Sequence, residues 1–224
     1  MATPKSILIV NHRRLVLAGL AALLRPRFPE CMIHCESTFR GAFGRVSNGA
    51  CDLMITDIKL PDRGGLELIR ETRRVNPQTR ILVVSADPAL SFGCRALREG
   101  AAGYLREAVA ETELFDAIQR LMDGERYVNG EMATALVDAV SGNNHRMPHE
   151  TLSSRELHVM VQLASGHSIK QIAGVHGLSP KTVSTYRSRT LRKLSLHTDS
   201  DLVKYCLAHK LISPLPDVYD ESTV

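Results

Sequence analysis

DLMITDIKLPDRGG, residues 52–65, sets an ionisable group against what reads as a buried strand. Leu53, Met54, Ile55 and Thr56 show no polar alternation, the pattern of a strand covered on both faces. Asp57 closes the run, and Pro61, Gly64 and Gly65 mark the loop after it. A carboxylate at the C-terminal edge of a buried strand is a helix cap, an incidental surface group or a reactive one. The rest of the chain has to decide between them.

Outward from this stretch, further short apolar runs occupy residues 7–10, 32–36, 81–84 and 103–105. Helical periodicity fills the gaps at 15–24, 38–47, 66–74, 89–99 and 111–122. Strands alternating with helices predict an α/β domain with a doubly wound, five-stranded parallel sheet over residues 1–125. Chemistry in such sheets gathers at the C-terminal strand ends. Asn11, His12, Asp57, Ser85, Arg106 and Glu107 all fall there. Residues 126–150 are read as a helix, 131–140, and a polar linker, 141–150. The tail, 214–224, holds two prolines and several acids and is expected to be mobile.

Residues 151–213 read as four helices. Ser153 with Glu156 has capping-box spacing, Gly166 and Gly177 are stops, and Ser179-Pro180 opens a third helix. Two short helices joined at a glycine, the second rich in small polar and basic side chains, describe a helix-turn-helix. Val183, Leu191 and Leu194 form its inward face. The same piece carries nine Lys and Arg against three acids, out of a net charge of +4 for the whole chain. That concentration points to a polyanion partner. Trp is absent and aromatics are 4%, which argues against a stacking platform for single strands. No apolar run reaches membrane-spanning length, and no signal peptide is evident. The five cysteines are scattered, which fits core positions in a reducing cytoplasm; a Cys31/Cys35 metal or redox pair is the alternative.

LSSRE, IKQIAGVHGLSPKTVSTYRSRTLRKL and the later KLI resemble the LuxR-type helix-turn-helix, and the N-terminal half resembles a response-regulator receiver domain. Over residues 5–212 the chain is similar to the NarL/FixJ family of response regulators, in its BvgA/EvgA/UvrY/RcsB-like branch. The resemblance implies a flavodoxin-like receiver and a dimeric, cytoplasmic transcription regulator rather than an enzyme. It also implies that Asp57 is the phosphoacceptor position and Ser85 the hydroxyl that contacts the phosphoryl group. The acidic Mg²⁺-binding pair of the family falls on Asn11 and His12, and its lysine falls on Glu107. Each change opposes the chemistry: Mg²⁺ prefers hard oxygen ligands, and a glutamate repels a phosphoryl group. The expectation is a degenerate site with weak or absent Mg²⁺ binding, no other cofactor, and Asp57 bonded to His12 or Asn11. Residual phosphorylation of Asp57 by a sensor kinase, a His12/Asp57 transition-metal site, and an adaptor that pairs with another regulatory protein are the alternatives.

In the C-terminal piece the resemblance implies double-stranded DNA as the partner. Lys181, Thr182, Arg187, Arg192 and Lys193 are expected at phosphates. Ser184, Thr185, Ser188 and Arg189 are expected at base edges.

Overall fold

The strand that ends at Asp57 is Leu53–Thr56 (β3), flanked in the chain by Ser6–Val10 (β1), Met32–Glu36 (β2), Arg80–Ser85 (β4) and Gly103–Arg106 (β5). They form one parallel sheet in the order β2-β1-β3-β4-β5, as in flavodoxin-like folds. The computed structural model describes residues 3–49, 51–86, 90–140, 147–209 and 211–212. The chain divides into two compact units, Met1–Arg146 and Met147–Val224.

In the first unit the helices are α1 (Arg14–Arg27), α2 (Phe39–Ser47), α3 (Gly65–Val75), α4 (Leu90–Arg98), α5 (Glu111–Met122) and α6 (Gly130–Val140). The register Ile9↔Ile55 and Ile55↔Leu82 aligns a row of side chains across three strands. Ile7, Ile9, Leu53, Ile55 and Leu82 pack with Leu24 of α1 and Ala117, Ile118 and Leu121 of α5. Met54 faces the other layer, where the Thr72 hydroxyl of α3 meets its sulfur. Each fully buried Ile or Leu in this core contributes roughly 1.5–3 kcal/mol relative to exposure. β2 is the edge strand, so its Met32 is 60% exposed and Cys35 also faces solvent, whereas Cys51, Cys94 and Cys206 are buried. α1 runs past the expected end at Leu24 to Arg27, with Pro26 in its last turn.

Gly65 explains the glycine pair in the opening stretch. Its amide donates to the Ile58 carbonyl at 2.8 Å. A Cβ at this position would collide with the Asp57 carbonyl and lie 2.8 Å from Ile58 Cα. The start of α3 is thereby drawn tight against the backbone that carries Asp57.

The helix assigned by sequence to the connection, α6, packs on α4, with Met132 buried and its sulfur 3.7 Å from Cys94 Sγ. Of the expected linker, residues 141–146 lie outside the described residues, as do Ala89 and the 214–224 tail. Its end, Pro148–Thr151, is a 3₁₀ turn of the second unit. There the His149 amide donates to Tyr205 Oη at 3.2 Å, so the unit begins at Met147 rather than 151.

That unit contains α7 (Ser154–Ala164), α8 (Ile169–His176), α9 (Pro180–Lys193) and α10 (Asp199–Ala208). All four are capped by side chains: Ser153, Ser168, Ser179 and Thr198 each accept from an amide of the first turn. Each such cap stabilises its helix by about 1 kcal/mol. Gly177, at φ +61°, ends α8 in the left-handed conformation and turns the chain toward α9. Val159, Ile172, Ala173 and Val183 form the centre of the core, with Leu163 and Tyr186 packed against it.

Candidate functional sites

At the C-terminal ends of the strands, Asp57 is 3% exposed. Its Oδ1 accepts two hydrogen bonds, from Ser85 Oγ at 2.8 Å and from the Ile58 amide at 2.6 Å. Neither Asn11 nor His12 bonds to it. The Asn11 carboxamide oxygen turns back to accept from the Arg13 amide at 2.8 Å, the local turn that an Asn side chain favours. The His12 ring, 40% exposed, places Nδ1 3.1 Å from the Lys59 carbonyl and only 4.0 Å from Asp57 Oδ2. Of the two expected partners, His12 thus stands at the outer limit of ion-pair distance and Asn11 is turned away, while the hydrogen bonds of Asp57 go to Ser85 and to its own loop.

Glu107 follows β5, and its amide donates to the Ser85 carbonyl at 2.9 Å. Its carboxylate forms an ion pair with the guanidinium of Arg13. Sequence reasoning passed over Arg13. The available signal was its charge, opposite to that of Glu107, in the loop after β1 at the same C-terminal edge of the sheet. Arg106, the last residue of β5, is exposed.

The loop after Asp57 is held as well. Asp62 accepts from the Phe39 and Arg40 amides at 2.7 and 2.9 Å and so closes the start of α2. The Arg63 guanidinium lies 4.0 Å over the Phe39 ring and pairs with Glu67 of α3. Mg²⁺ in this fold family needs several hard oxygen donors. Here one candidate oxygen, that of Asn11, is engaged by backbone, and His12 supplies a nitrogen. The residues present do not fit the ion. Among the described residues no three His, Cys, Asp or Glu side chains group as a metal set.

The second candidate site is the outer face of α9. Val183, Thr190 and Leu191 are buried, so the helix has one committed face. Lys181, Thr185, Ser188, Arg189, Arg192 and Lys193 are exposed, while Thr182, Ser184 and Arg187 are partly covered. The nine side chains separate by what already holds them. Thr182 takes part in the Ser179 cap, and Thr185 donates to the Lys181 carbonyl at 2.9 Å. Arg187 Nε donates to Asp199 Oδ1 of α10 at 2.7 Å. Lys193 Nζ donates at 2.7 Å to Oε2 of Glu156, which is 3% exposed. Lys181, Arg189 and Arg192 have no acidic partner among the described residues. Two of the expected phosphate contacts, Arg187 and Lys193, are thus engaged inside the unit, with Lys193 neutralising a buried carboxylate.

Burial would raise the pKa of Glu156. The Lys193 ammonium together with the backbone and side chain of Ser153 outweighs it and holds the carboxyl below its ordinary value. Burial pushes the Cys206 thiol up to about 12, and burial first, with Asp52 and Cys31 adding to it, does the same for Cys51. Among the described residues no helix is long and apolar enough to cross a membrane.

Comparison with known proteins bears on both sites. Residues 7–119 match the family model of the response regulator receiver domain, and residues 150–206 that of the bacterial regulatory proteins of the luxR family. Response regulator GacA of Pseudomonas aeruginosa is 33% identical over 162 residues, covering 72% of this chain and 76% of GacA. Response regulator UvrY of Escherichia coli K12 is 28% identical over 207 residues, 92% of this chain and 95% of UvrY. Among solved structures, RcsB of Salmonella enterica serovar Typhimurium, bound to promoter P1flhDC in the presence of phosphomimetic BeF3-, superposes with a TM-score of 0.67 at 21% identity, covering 92% of this chain and all of RcsB. A structure of two RcsB dimers bound to two parallel DNAs superposes at 0.55 and 20% identity, covering 91% of this chain and 98% of that one.

Proposed function

The chain belongs to the NarL/FixJ family of response regulators, a receiver joined to a LuxR-type DNA-binding domain, and from that premise we propose that it regulates transcription without phosphorylation of Asp57. The carrying observation is Glu107. It puts a carboxylate where the family places a lysine, and that carboxylate is committed to Arg13. Asp57 has one oxygen occupied by two donors, and its neighbours do not fit Mg²⁺. An incoming phosphoryl group would meet two carboxylates and no metal. The receiver then holds one conformation, fixed by the Arg13–Glu107 and Ser85–Asp57 contacts and by the pinned loop after Asp57, or answers to a protein partner.

DNA binding falls to α9. Lys181 and Arg192 neutralise phosphates, joined by Arg189, which the sequence put at base edges but which has no acidic partner among the described residues; Ser184, Thr185 and Ser188 face base edges, and the side chains that brace α9 stay behind. A helix of 14 residues reaches few base pairs, so the protein binds as a dimer to paired half-sites. The RcsB dimers on DNA support that arrangement by likeness of fold.

The test is fluorescence anisotropy of the full chain on DNA from its own upstream region, with and without acetyl phosphate and Mg²⁺, followed by intact mass. The expected result is salt-dependent binding, the same in both arms, with no phosphoryl adduct. A stoichiometric adduct with tighter binding would restore the conventional phosphorylated reading.

A further inference from the structure

At the opposite end of the sheet from Asp57, three arginines gather. Arg73 lies in the last turn of α3. Its Nε donates to the Gly100 carbonyl and one terminal nitrogen donates to the Pro77 carbonyl, both at 2.7 Å. These bonds hold a half-buried guanidinium in place. Arg80 is the first residue of β4, and Arg126 precedes Tyr127, which bridges to Gly103 beyond β5. The pairing Leu82↔Gly103 and the bridge Gly103↔Tyr127 put Arg80 and Arg126 on segments two strand spacings apart, roughly 10 Å between backbones. Arginine side chains readily span that gap.

Among the described residues none of the three arginines forms an ion pair. Nearby acids are turned elsewhere: Asp116 holds Arg120, Glu71 holds Arg74, and Asp123 accepts from Gln119. Glu125, beside Arg126, is exposed. Burial, and then the charges of Arg80 and Arg126, lower the pKa of Arg73, so the cluster repels itself.

Two glycines leave it room. Gly100, at φ +113°, lies under Arg73, where a Cβ would stand 2.6 Å from Cγ. Gly124, at φ +92°, lies under Arg80, where a Cβ would stand 3.6 Å from a terminal nitrogen. Both positions are left-handed, so the absence of side chains there is also what the backbone demands.

We propose that Arg73, Arg80 and Arg126 form a binding site for a compact anion of the pyrophosphate type. The guanidinium forks of Arg80 and Arg126, with the remaining N–H groups of Arg73, offer donors to several oxygens at once. A single carboxylate would occupy one fork and leave the other two in repulsion. A diphosphate carries enough charge and enough oxygens to bridge all three. Free pyrophosphate and the diphosphate of a nucleotide share this chemistry.

The experiment titrates sodium pyrophosphate, and separately ADP, into the full chain. The arginine Nε–H resonance of Arg73 is followed by NMR at constant ionic strength set with NaCl. Excess duplex DNA is present, so that the basic face of α9 is already occupied. The expected result is a saturable shift of that resonance. Affinity falls about tenfold or more in Arg80→Ala/Arg126→Ala, the loss expected for charge-assisted bonds, and Arg126→Glu loses as much. Equal affinity for both probes assigns the site to the phosphates alone; tighter ADP assigns it to a nucleotide. No saturable shift with either probe, or affinity unchanged in both variants, overturns the proposal.

Discussion

Glu107 and Lys181 are both charged groups at places where the family meets phosphate, one at the strand ends of the receiver and the other on the outer face of α9. Glu107 is committed to Arg13, while Lys181, like Arg189 and Arg192, has no acidic partner among the described residues. A charge already paired within its unit gains little from a partner outside it, because the new contact must first break the old one. A charge left to water can meet a phosphate directly, and the counterions it displaces from DNA add to the driving force. The two regions therefore differ less in frame than in what is free. Around Asp57 the sheet order, the strand-end carboxylate, the Ser85 hydroxyl and the Gly65 approach are all in place, while the ionised neighbours are paired off. Around α9 the frame and the reagents are present together.

The harshest way to break this contrast is to return the missing reagents to the receiver. Asn11→Asp, His12→Asp and Glu107→Lys together restore an oxygen set for Mg²⁺ and a cation for the phosphoryl group. Two unit charges at about 4 Å interact by roughly 4 kcal/mol at an effective dielectric of 20. Reversing the sign at position 107 counts that figure twice, and each ~1.36 kcal/mol is about tenfold in rate. After generous screening, the triple variant is expected to accept a phosphoryl group from acetyl phosphate several orders of magnitude faster than the parent chain. Intact mass over a time course measures it. Equal labelling of the two proteins would remove Glu107 as the determining group.

On α9 the contrast can be sharpened residue by residue. Lys181→Ala, Arg189→Ala and Arg192→Ala should each lower the slope of log affinity against log salt by about one unit. Arg187→Ala should lower it by less, since its guanidinium is already held by Asp199. Ser184→Ala and Ser188→Ala should leave the slope alone and change sequence preference, with about 1–3 kcal/mol at stake per specific base contact. A slope lost at Arg187 as fully as at Arg192 would show that the Asp199 pair opens on DNA.

Lys193 moves the question from binding to stability. Lys193→Met leaves Glu156 buried without its cation and should cost about 1–2 kcal/mol, less than for a fully buried pair because the lysine is partly exposed. The pH dependence follows from the depressed carboxyl. Its folded pKa lies below its unfolded value, so the stabilisation is complete above the ordinary glutamate value of 4.5 and drains away as pH falls through the lower folded value. Urea unfolding of the parent and the variant between neutral and acid pH tests this. The difference between them should shrink toward the acid end, and a constant difference would mean that Lys193 acts by packing alone.

The positions of the elements were legible because the apolar runs are short and unmixed. The observed β3 covers the same residues as the reading, and β1, β4 and β5 each gain one or two residues at their ends. Helix caps were legible for a local reason, since Ser153 and Glu156 are three residues apart and need no tertiary contact. Candidate site residues were legible as positions, because a strand end can be counted. Their partners were not. Arg13 and Glu107 lie 94 residues apart, and only the sheet order brings them together. Lys193 looked like its basic neighbours until the fold put Glu156 under it. α6 was read as a helix, but its docking was hidden for the same reason: it rests on Met132, one apolar residue among several, meeting α4.

The smallest expected effect is at Asp57 itself. Asp57→Asn keeps an oxygen at Oδ1 to accept from Ser85 and Ile58, and it removes a negative charge that lies 4.0 Å from the half-exposed His12 ring. The hydrogen bonds survive, the loop stays pinned by Asp62 and Arg63, and Arg13–Glu107 is untouched. If the receiver works without phosphate, nothing that reaches DNA has changed. Operator affinity should stay within about threefold, under ~0.7 kcal/mol. Asp57→Ala is the stricter companion, because it deletes the acceptor of the Ser85 bond. Loss of affinity in Ala but not in Asn would assign Asp57 a structural role through Ser85. Loss in both, with the fold intact by circular dichroism, would mean that the carboxylate itself carries the signal and that the pairing of its neighbours does not silence the site.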